Sequence, residues 1–501
     1  MDVFLIVLTI IIAIILLACN FYFMIYYLDP SEKGFADSMI SKLILLSGLM
    51  LAWAQVLALP LDVSNSSGDG GDLRIDIMWE IIYMAIFAFL LAILPFAMFF
   101  SETDDEKQMC ERICDTLKTV VFLWIIELLV LLLMYFYLSY TEIPVVTYTC
   151  LWTEADNINQ KCDQGNTNLE FNVSFPIYVM AFMSWFGWWF LVLFGGIGLA
   201  AIPLDFINKF RFRPQRLSPT ELIAKERSLR ARTKNLLEMG GQVKIAKSQV
   251  SAETSWLARR KLKEIVRRDT NQLQKETLLL EQDYEIYLVE KGIAKQSPLW
   301  YPFFLCMGVL SLFVSILWIL QIIIYILAKN NGAASTPFLN EVLIKLSSPG
   351  VSFLGTTIYC LFSMYLLLAC IKGNVKFGLR IPYFFRAYPI KKDKTPMNAM
   401  FFNVSLVLIC SVAVTLFATN AFSMYTRLTD IGNMFGIQVR YLEFFKYFYD
   451  NNVFEYMLVI WTGLAAIYFA FKNQDKPKTY DKFDMDFEKE KLRSIEKSRD
   501  K

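Results

Sequence analysis

One acidic residue, Glu127, lies inside a long apolar segment between Ile126 and Leu128. An ionisable side chain in such a segment is costly unless it meets a partner or water, so its presence carries information. The first interpretation is a proton-coupled or ligand-binding carboxylate. The second is a hydrogen bond that joins neighbouring helices. The candidate partners are four amide side chains in other apolar segments: Gln55, Gln321, Asn403 and Asn420.

Two cysteines share a polar loop and are placed to react with each other. The chain contains nine cysteines, and most of them lie in apolar stretches, where a thiol behaves as a small hydrophobic group. Cys150 and Cys162 are the exception. If their loop lies outside the cytosol, an oxidising compartment permits a disulfide between them, and we predict that pair.

The residue types that most enzymes use are poorly represented. Histidine is absent, which removes the commonest metal ligand and the usual general base. No nucleophile with a neighbouring base is recognisable, so we expect neither catalysis nor a cofactor or metal. The formal net charge of +2 gives no concentrated basic surface of the kind that binds nucleic acid, and nucleic acid is not an expected partner.

The elements that position these residues are predicted to be membrane-spanning helices. The chain is 56% hydrophobic and 19% charged, a balance typical of membrane proteins. Since a span needs about 20 mostly apolar residues, we predict an all-α polytopic integral membrane protein with about nine spans. The predicted spans are Val3–Tyr27, Leu43–Leu61, Ile77–Phe100, Thr119–Tyr140, Phe175–Ala201, Phe303–Leu327, Val351–Ile371, Met400–Phe422 and Val453–Phe471.

The distribution of Lys and Arg between loops predicts the orientation. Positive residues near span ends stay on the cytosolic side. The loop after the seventh span is strongly basic, whereas the loop after the fourth contains only Lys161. We therefore expect the N-terminus outside or in a lumen and the C-terminus in the cytosol, in a plasma or endolysosomal membrane. Two acceptor sequences lie in loops assigned to the outside, and we predict N-glycosylation at Asn65 and Asn172.

A charged loop between the fifth and sixth spans is predicted to form a cytosolic helical hairpin. Leucines recur every seven residues before a break at Gly240-Gly241, and Val266, Leu273, Leu280 and Tyr287 repeat the spacing afterwards. The hairpin either packs as an arm on itself or under the membrane domain, or forms a coiled-coil dimer. The predicted domains are spans 1–5 at 1–201, this loop at 202–299, spans 6–9 at 300–471 and a cytosolic tail at 472–501.

A basic and aromatic collar opens this loop directly after the fifth span. Lys209, Arg211, Arg213 and Arg216 alternate with phenylalanines. They either contact anionic lipid headgroups of the cytosolic leaflet or act as simple positive-inside anchors.

Proline and glycine mark two further places in the spans. Each of the Pro60-Leu61-Asp62 and Pro203-Leu204-Asp205 sequences is predicted to close its span. The Gly195-Gly196-Ile197-Gly198 run lacks the strand and the lysine of a phosphate-binding loop, so close helix packing or a kink explains it better.

Several segments together resemble the limb-region-1 family, in particular its lipocalin-interacting membrane receptor (LIMR) branch. They are spread over nearly the whole chain, in the expected order: Leu59–Asn65, Pro95–Phe100, Gly195–Leu204, Pro337–Val342, Thr395–Asn398 and Phe402–Val404. One departure is visible. Relatives tend to have His-Pro-Met-Lys where this chain has Tyr388-Pro389-Ile390-Lys391, which puts any role of that histidine in doubt.

The resemblance implies membrane receptors and accessory proteins, linked to lipocalin uptake, to lysosomal cobalamin export beside an ABC transporter, and to receptor signalling. It implies no catalytic residue. We therefore expect a receptor or accessory protein that binds an outside ligand or a protein partner, surrounded by membrane lipids. The alternative is a transporter of a small or amphipathic solute that uses Glu127 and the polar spans as its path.

Overall fold

The computed structural model describes residues 3–29, 39–67, 74–103, 109–150, 162–211, 218–252, 256–295, 299–330, 333–334, 336–347, 352–380 and 386–471. The chain divides into two compact units. One combines Met1–Leu204 with Val309–Lys472 and forms the membrane domain, and the other contains Asp205–Gly308.

The described helices are α1 (Val3–Tyr27), α2 (Met39–Ser67), α3 (Ile75–Ala88), α4 (Leu94–Glu102), α5 (Met109–Leu138), α6 (Phe175–Phe190), α7 (Gly196–Arg211), α8 (Pro219–Ala252), α9 (Trp256–Lys295), α10 (Trp300–Gln321), α11 (Leu339–Leu346), α12 (Ser352–Phe377), α13 (Met397–Ala421), α14 (Asp430–Asn433), α15 (Glu443–Asp450) and α16 (Val453–Phe471). The π-helical segments are Phe89–Ile93, Leu191–Gly195, Ile322–Leu327 and Met434–Val439. The strands are β1 (Tyr140–Cys150), β2 (Cys162–Asn172), β3 (Lys329–Asn330), β4 (Ala333–Ala334), β5 (Leu379–Arg380) and β6 (Arg386–Ala387).

The predicted fold class is confirmed. Within the described ranges, nine helical segments are long and apolar enough to cross a membrane, and each coincides with a predicted span. Three of these spans contain a π-helical segment. One such segment joins α3 to α4, a second joins α6 to α7, and a third extends α10 at its end. Helices satisfy their own backbone hydrogen bonds, which is why apolar sequence of this length adopts them in lipid.

Helix α13 is the centre of the membrane domain. Of its apolar window 83% is buried, against 11% for α5, so α13 is enclosed by protein whereas α5 lies at the periphery. It packs against α2, α4, α6 and α12. Its apolar side chains dominate the core, and Phe401, Val412 and Phe417 are fully enclosed.

Glycines let backbones meet in this core, as predicted for the Gly195–Gly198 run. A Cβ atom on Gly198 would overlap the carbonyl oxygen of Ala369 in α12. One on Gly373 of α12 would overlap the carbonyl oxygen of Phe194. Because each glycine faces the backbone of the other segment, α12 and the α6–α7 span lie closer than side chains would permit.

The prediction that Pro60 and Pro203 close their spans is wrong. Helix α2 continues beyond Pro60 to Ser67, and α7 continues beyond Pro203 to Arg211. A proline removes one backbone donor, but membrane helices tolerate it when neighbouring helices support the turn. Both prolines lie in well-packed surroundings, Pro60 and Pro203 each being buried.

The loop after the fourth span forms a β-hairpin that was not predicted. β1 and β2 pair antiparallel, with Tyr140 opposite Asn172 and Cys150 opposite Cys162. The first strand is rich in Thr, Val, Ile and Tyr, which fit a pleated surface, and this composition was the available signal. The hairpin contacts the membrane domain through a bridge between Thr141 and Leu442, just before α15.

The second unit contains the predicted helical hairpin, made of α8 and α9. The helices run antiparallel, since the Tyr287 hydroxyl donates to Glu226 Oε2 at 2.8 Å and Arg232 pairs with Asp283 at 2.6 Å. The repeated apolar positions face inward: Leu229 and Tyr287 are buried.

The predicted break at Gly240-Gly241 is wrong, because α8 runs through both glycines to Ala252. Each interior glycine costs only about 1 kcal/mol relative to alanine. Packing against α9, where Gly240 approaches Leu273, supports the helix at this point.

Candidate functional site

A cleft of about 380 Å³ lies between three spans of the membrane domain. Its walls come from α3 and the following π-helical turn, from α5 and from α6, with Ile409 of α13 behind them. Ten of the eleven lining residues are apolar, and the eleventh is Glu127. Ile126 and Phe186, on the two sides of the cleft, are 45% and 42% exposed, so the cleft opens sideways between α5 and α6.

The π-helical turn at Phe89–Ile93 shapes one wall of the cleft. A π turn inserts a residue into the helix and weakens the regular ladder of carbonyl acceptors. Here the carbonyl oxygen of Leu91 accepts a 2.6 Å hydrogen bond from Trp124 Nε1. Trp124 lies one turn before Glu127 on α5, so the same contact fixes the helix that carries the carboxyl group.

The structure does not bring Glu127 together with the four predicted amides. In the described part of the chain, no side chain or backbone group forms a hydrogen bond with the Glu127 carboxyl. Three of the amides are buried and bonded elsewhere: Gln55 to Ser411 Oγ at 2.5 Å, Gln321 to the Ala421 carbonyl at 2.7 Å, and Asn403 to the Ala399 carbonyl at 2.7 Å. Asn420, half-buried at the end of α13, accepts at its backbone carbonyl from Ser423 N.

Asp62 is an important polar residue that the sequence interpretation missed. Its carboxylate is 1% exposed. Trp79 Nε1 donates to Oδ2 at 2.8 Å, Ile431 N donates to Oδ2 at 2.9 Å, and Asp430 N donates to Oδ1 at 3.1 Å. One side chain thereby joins α2, α3 and the turn that starts α14. An acid after an apolar run was the only available signal, and it does not identify these partners.

A second polar contact lies where α4 ends and α13 begins. The Tyr388 hydroxyl and Asn398 Nδ2 both donate to Glu102 Oε1, at 3.1 and 3.2 Å. Asn403 Nδ2 also donates to the Tyr388 carbonyl at 2.9 Å. Burial and the Glu102 carboxylate raise the pKa of Tyr388. Tyr388 therefore acts as a hydrogen-bond donor that holds the connection before α13.

The hairpin residues occupy positions compatible with their predicted modifications. Cys150 and Cys162 are directly opposed in an antiparallel ladder, where Cα atoms lie about 4.5–5.5 Å apart, within the range of disulfides. Asn172 is exposed at the end of β2, whereas Asn65 is half-buried in the last turn of α2. The disulfide and glycosylation at Asn65 and Asn172 stay predictions.

The hairpin also contains one strongly perturbed tyrosine. The Tyr140 hydroxyl donates to Glu170 on the paired strand. That hydrogen bond is the main reason that the pKa of Tyr140 rises to about 12. The contact ties the start of β1 to the end of β2, close to the membrane domain.

Only part of the basic collar lies within the described residues. Lys209 Nζ is 4.9 Å from the ring centre of Phe304 and 5.7 Å from that of Phe206, and Arg211 ends α7. Such a cation over two rings is a stable local arrangement. Arg213 and Arg216 lie outside the described residues, and the lipid-headgroup role of all four stays a prediction.

The α8–α9 arm has an unusual surface. Helix α8 contains seven Lys or Arg residues against three acids, yet Leu237 and Ile245 are 72% and 60% exposed on it. Tyr287 and then Arg230 lower the pKa of Glu226 by hydrogen bonds to its carboxylate. Large apolar side chains on a charged helix typically mark contact surfaces.

Among the described residues, no group of three or more Cys, Asp or Glu is arranged to hold a metal ion.

Comparison with known proteins agrees with this architecture. The pattern that defines LMBR1-like membrane proteins matches residues 4–277 and 218–467. The chain belongs to the LMBR1-like family. A LIMR family protein of Dictyostelium discoideum is 32% identical, with 95% of this chain and 99% of the relative covered. One from Arabidopsis thaliana is 29% identical, with 93% and 95% covered. No solved structure matches the chain.

Membership of the LMBR1-like family confirms the resemblance derived from the sequence segments. Two of those segments contain the polar contacts described above, since Asp62 lies in the first and Asn398 in the fifth. In this LMBR1-like chain, the first segment joins α2 to α3 and to the start of α14, and the fifth joins α13 to α4.

Proposed function

We propose that this LMBR1-like protein is a multi-pass receptor or accessory protein that binds a protein partner through its α8–α9 arm. The observation that carries the proposal is the exposure of Leu237 and Ile245 on a helix that is otherwise strongly charged. Exposing such side chains to water has no benefit for the arm itself, whereas an amphipathic partner helix would cover them.

The charge of the arm indicates the chemistry of that partner. Helix α8 has an excess of four basic residues, counted as seven basic and three acidic. Complementary charge favours encounter and orientation of an acidic partner. We therefore propose an acidic amphipathic helix, lying along α8 with its apolar side on Leu237 and Ile245.

The orientation of the chain is part of the same proposal. The arm would face the cytosol, with the N-terminus outside or lumenal in a plasma or endolysosomal membrane, as the loop charges predict. Protease protection of terminal tags in sealed vesicles tests this arrangement. If the protease removes both terminal tags from the same side of the vesicle membrane, the chain cannot have an odd number of spans.

The partner is tested with full-length protein purified from its native membrane in mild detergent after chemical crosslinking. We expect a stoichiometric acidic companion in the wild type. Leu237→Glu and Ile245→Glu should lose it, because each places a charge in the apolar contact. Gln249→Glu is the matched control, since it adds the same charge at an exposed polar position of α8. A companion-free monomer, or equal capture by all four proteins, would contradict the proposal.

A further inference from the structure

The cleft between α3, α5 and α6 has the dimensions and position of a ligand site that opens to the membrane. Its volume of about 380 Å³ is near the lower end of the range for small-molecule pockets, about 300–1,000 Å³. A pocket of this size suits one narrow apolar chain rather than a lipid with two chains. Because its mouth lies between α5 and α6, an occupant would enter from the surrounding lipid.

The position of Glu127 indicates what the occupant must offer. Glu127 is exposed on α5 and lines the cleft beside ten apolar residues, and the structure gives its carboxyl group no hydrogen-bond partner among the described residues. Trp124, the nearest polar side chain on the same face of α5, already donates to the Leu91 carbonyl. A carboxyl group in an apolar span is stabilised by a donor or a positive charge, and neither comes from the described residues.

The two observations together define one class of ligand. We propose that the cleft binds a single-chain lipid amine, with the hydrocarbon chain between α3, α5 and α6 and the ammonium group paired with Glu127. An ammonium group supplies both the hydrogen-bond donors and the charge that a carboxylate accepts best. The proposed ligand site contains no residue of the α8–α9 arm, so it does not depend on the proposed partner.

The apolar walls explain why the hydrocarbon chain of the ligand would lie along the cleft. Phe87 of α3, Leu90 of the π-helical turn, Val130 of α5, and Phe182 and Met183 of α6 all present apolar surface to the cleft. Methionine and phenylalanine adapt to a flexible chain without a polar requirement. Burial of the hydrocarbon chain would supply affinity. Glu127 would supply selectivity for an amine over an uncharged or anionic end group.

The test uses full-length protein in detergent and a long-chain alkylamine that carries a photoreactive group. We expect saturable crosslinking to peptides of α5 and α6, competed by hexadecylamine and not by hexadecanoic acid. Glu127→Gln should weaken hexadecylamine competition by about tenfold or more, as expected when one charge-assisted hydrogen bond is lost. Glu127→Asp, which keeps the charge, should retain most of the affinity.

A second pair of variants separates the cleft from general partitioning into the apolar surface. Val130→Trp fills the cleft from an exposed wall position and should abolish saturable crosslinking. Val121→Trp, on the same helix but outside the cleft, should not. Equal competition by the amine and the acid, together with unchanged binding in Glu127→Gln, would overturn the proposal, as would saturable crosslinking that survives Val130→Trp.

Discussion

The contacts of Asp62 give the sharpest prediction about stability. Its carboxylate accepts from Trp79, Asp430 and Ile431 at 2.8–3.1 Å and is 1% exposed. Asp62→Ala leaves three donors without an acceptor in a site that water does not reach. Each unsatisfied buried donor costs about 1–3 kcal/mol, so the lower bound of the loss is about 3 kcal/mol.

Asparagine at the same position should give an intermediate result. Its amide oxygen replaces one carboxylate oxygen. Its NH₂ group takes the place of the other and cannot accept a hydrogen bond, so at least one donor loses its acceptor. If the amide oxygen takes the place of Oδ2, one of the three bonds is lost, which corresponds to about 1 kcal/mol. The expected order of thermal midpoints is therefore wild type, then Asp62→Asn, then Asp62→Ala.

The assay is thermal unfolding of detergent-solubilised protein, followed by loss of the monodisperse peak on size exclusion. At about 2 °C per kcal/mol, the low end of the usual range, Asp62→Ala should lower the midpoint by roughly 6 °C. Asp76→Ala is the control, because Asp76 is an exposed carboxylate paired with Arg74 at 2.9 Å. Hydrogen exchange at 429–433 should also accelerate in Asp62→Ala. A midpoint equal to that of Asp76→Ala, with unchanged exchange, would refute the reasoning.

Three further predictions concern packing, a crosslink and pH. Gly198→Ala should strongly reduce the yield of folded protein, because its Cβ overlaps the Ala369 carbonyl, whereas Gly463→Ala, which meets nothing within 4 Å, should unfold near the wild-type midpoint. Equal midpoints for the two variants would contradict the close approach of α7 and α12. Cys150 and Cys162 should resist maleimide labelling in denatured protein until a reductant is added, and loss of either should expose the other; labelling of both without reduction would exclude the disulfide. Hydrogen bonds from Tyr287 and Arg230 lower the pKa of Glu226, so their stabilising effect is present above the ordinary carboxyl pKa and is lost as pH falls through the lowered value. Spin labels on α8 and α9 should accordingly separate on acidification below the ordinary carboxyl pKa, and Glu226→Gln should remove this dependence. The same acid response in that variant would show that another group is responsible.

The sequence determined the features that depend on a chain's immediate neighbours. Length and apolarity of a segment decide whether it can satisfy its backbone in lipid, and they identified all nine spans, with ends that differ from the observed helices by up to ten residues. The seven-residue repeat likewise predicted which side of α9 turns inward, because a helical face is a local property. The family segments were also recognisable, since the order of residues alone carries them.

Tertiary structure decided the rest. The sequence predicts breaks at Gly240-Gly241 and Pro60, but both helices continue there and pack against other helices, α8 against α9 and α2 against α13. The partners of Asp62 lie 17 to 369 residues away in sequence, and spacing cannot identify contacts at such separations. Glu127 could be located in a span from the sequence, but its separation from Gln55, Gln321 and Asn403 depends on how α5 packs at the edge of the domain. The cleft that Glu127 faces exists only because three spans and a π-helical turn enclose it together.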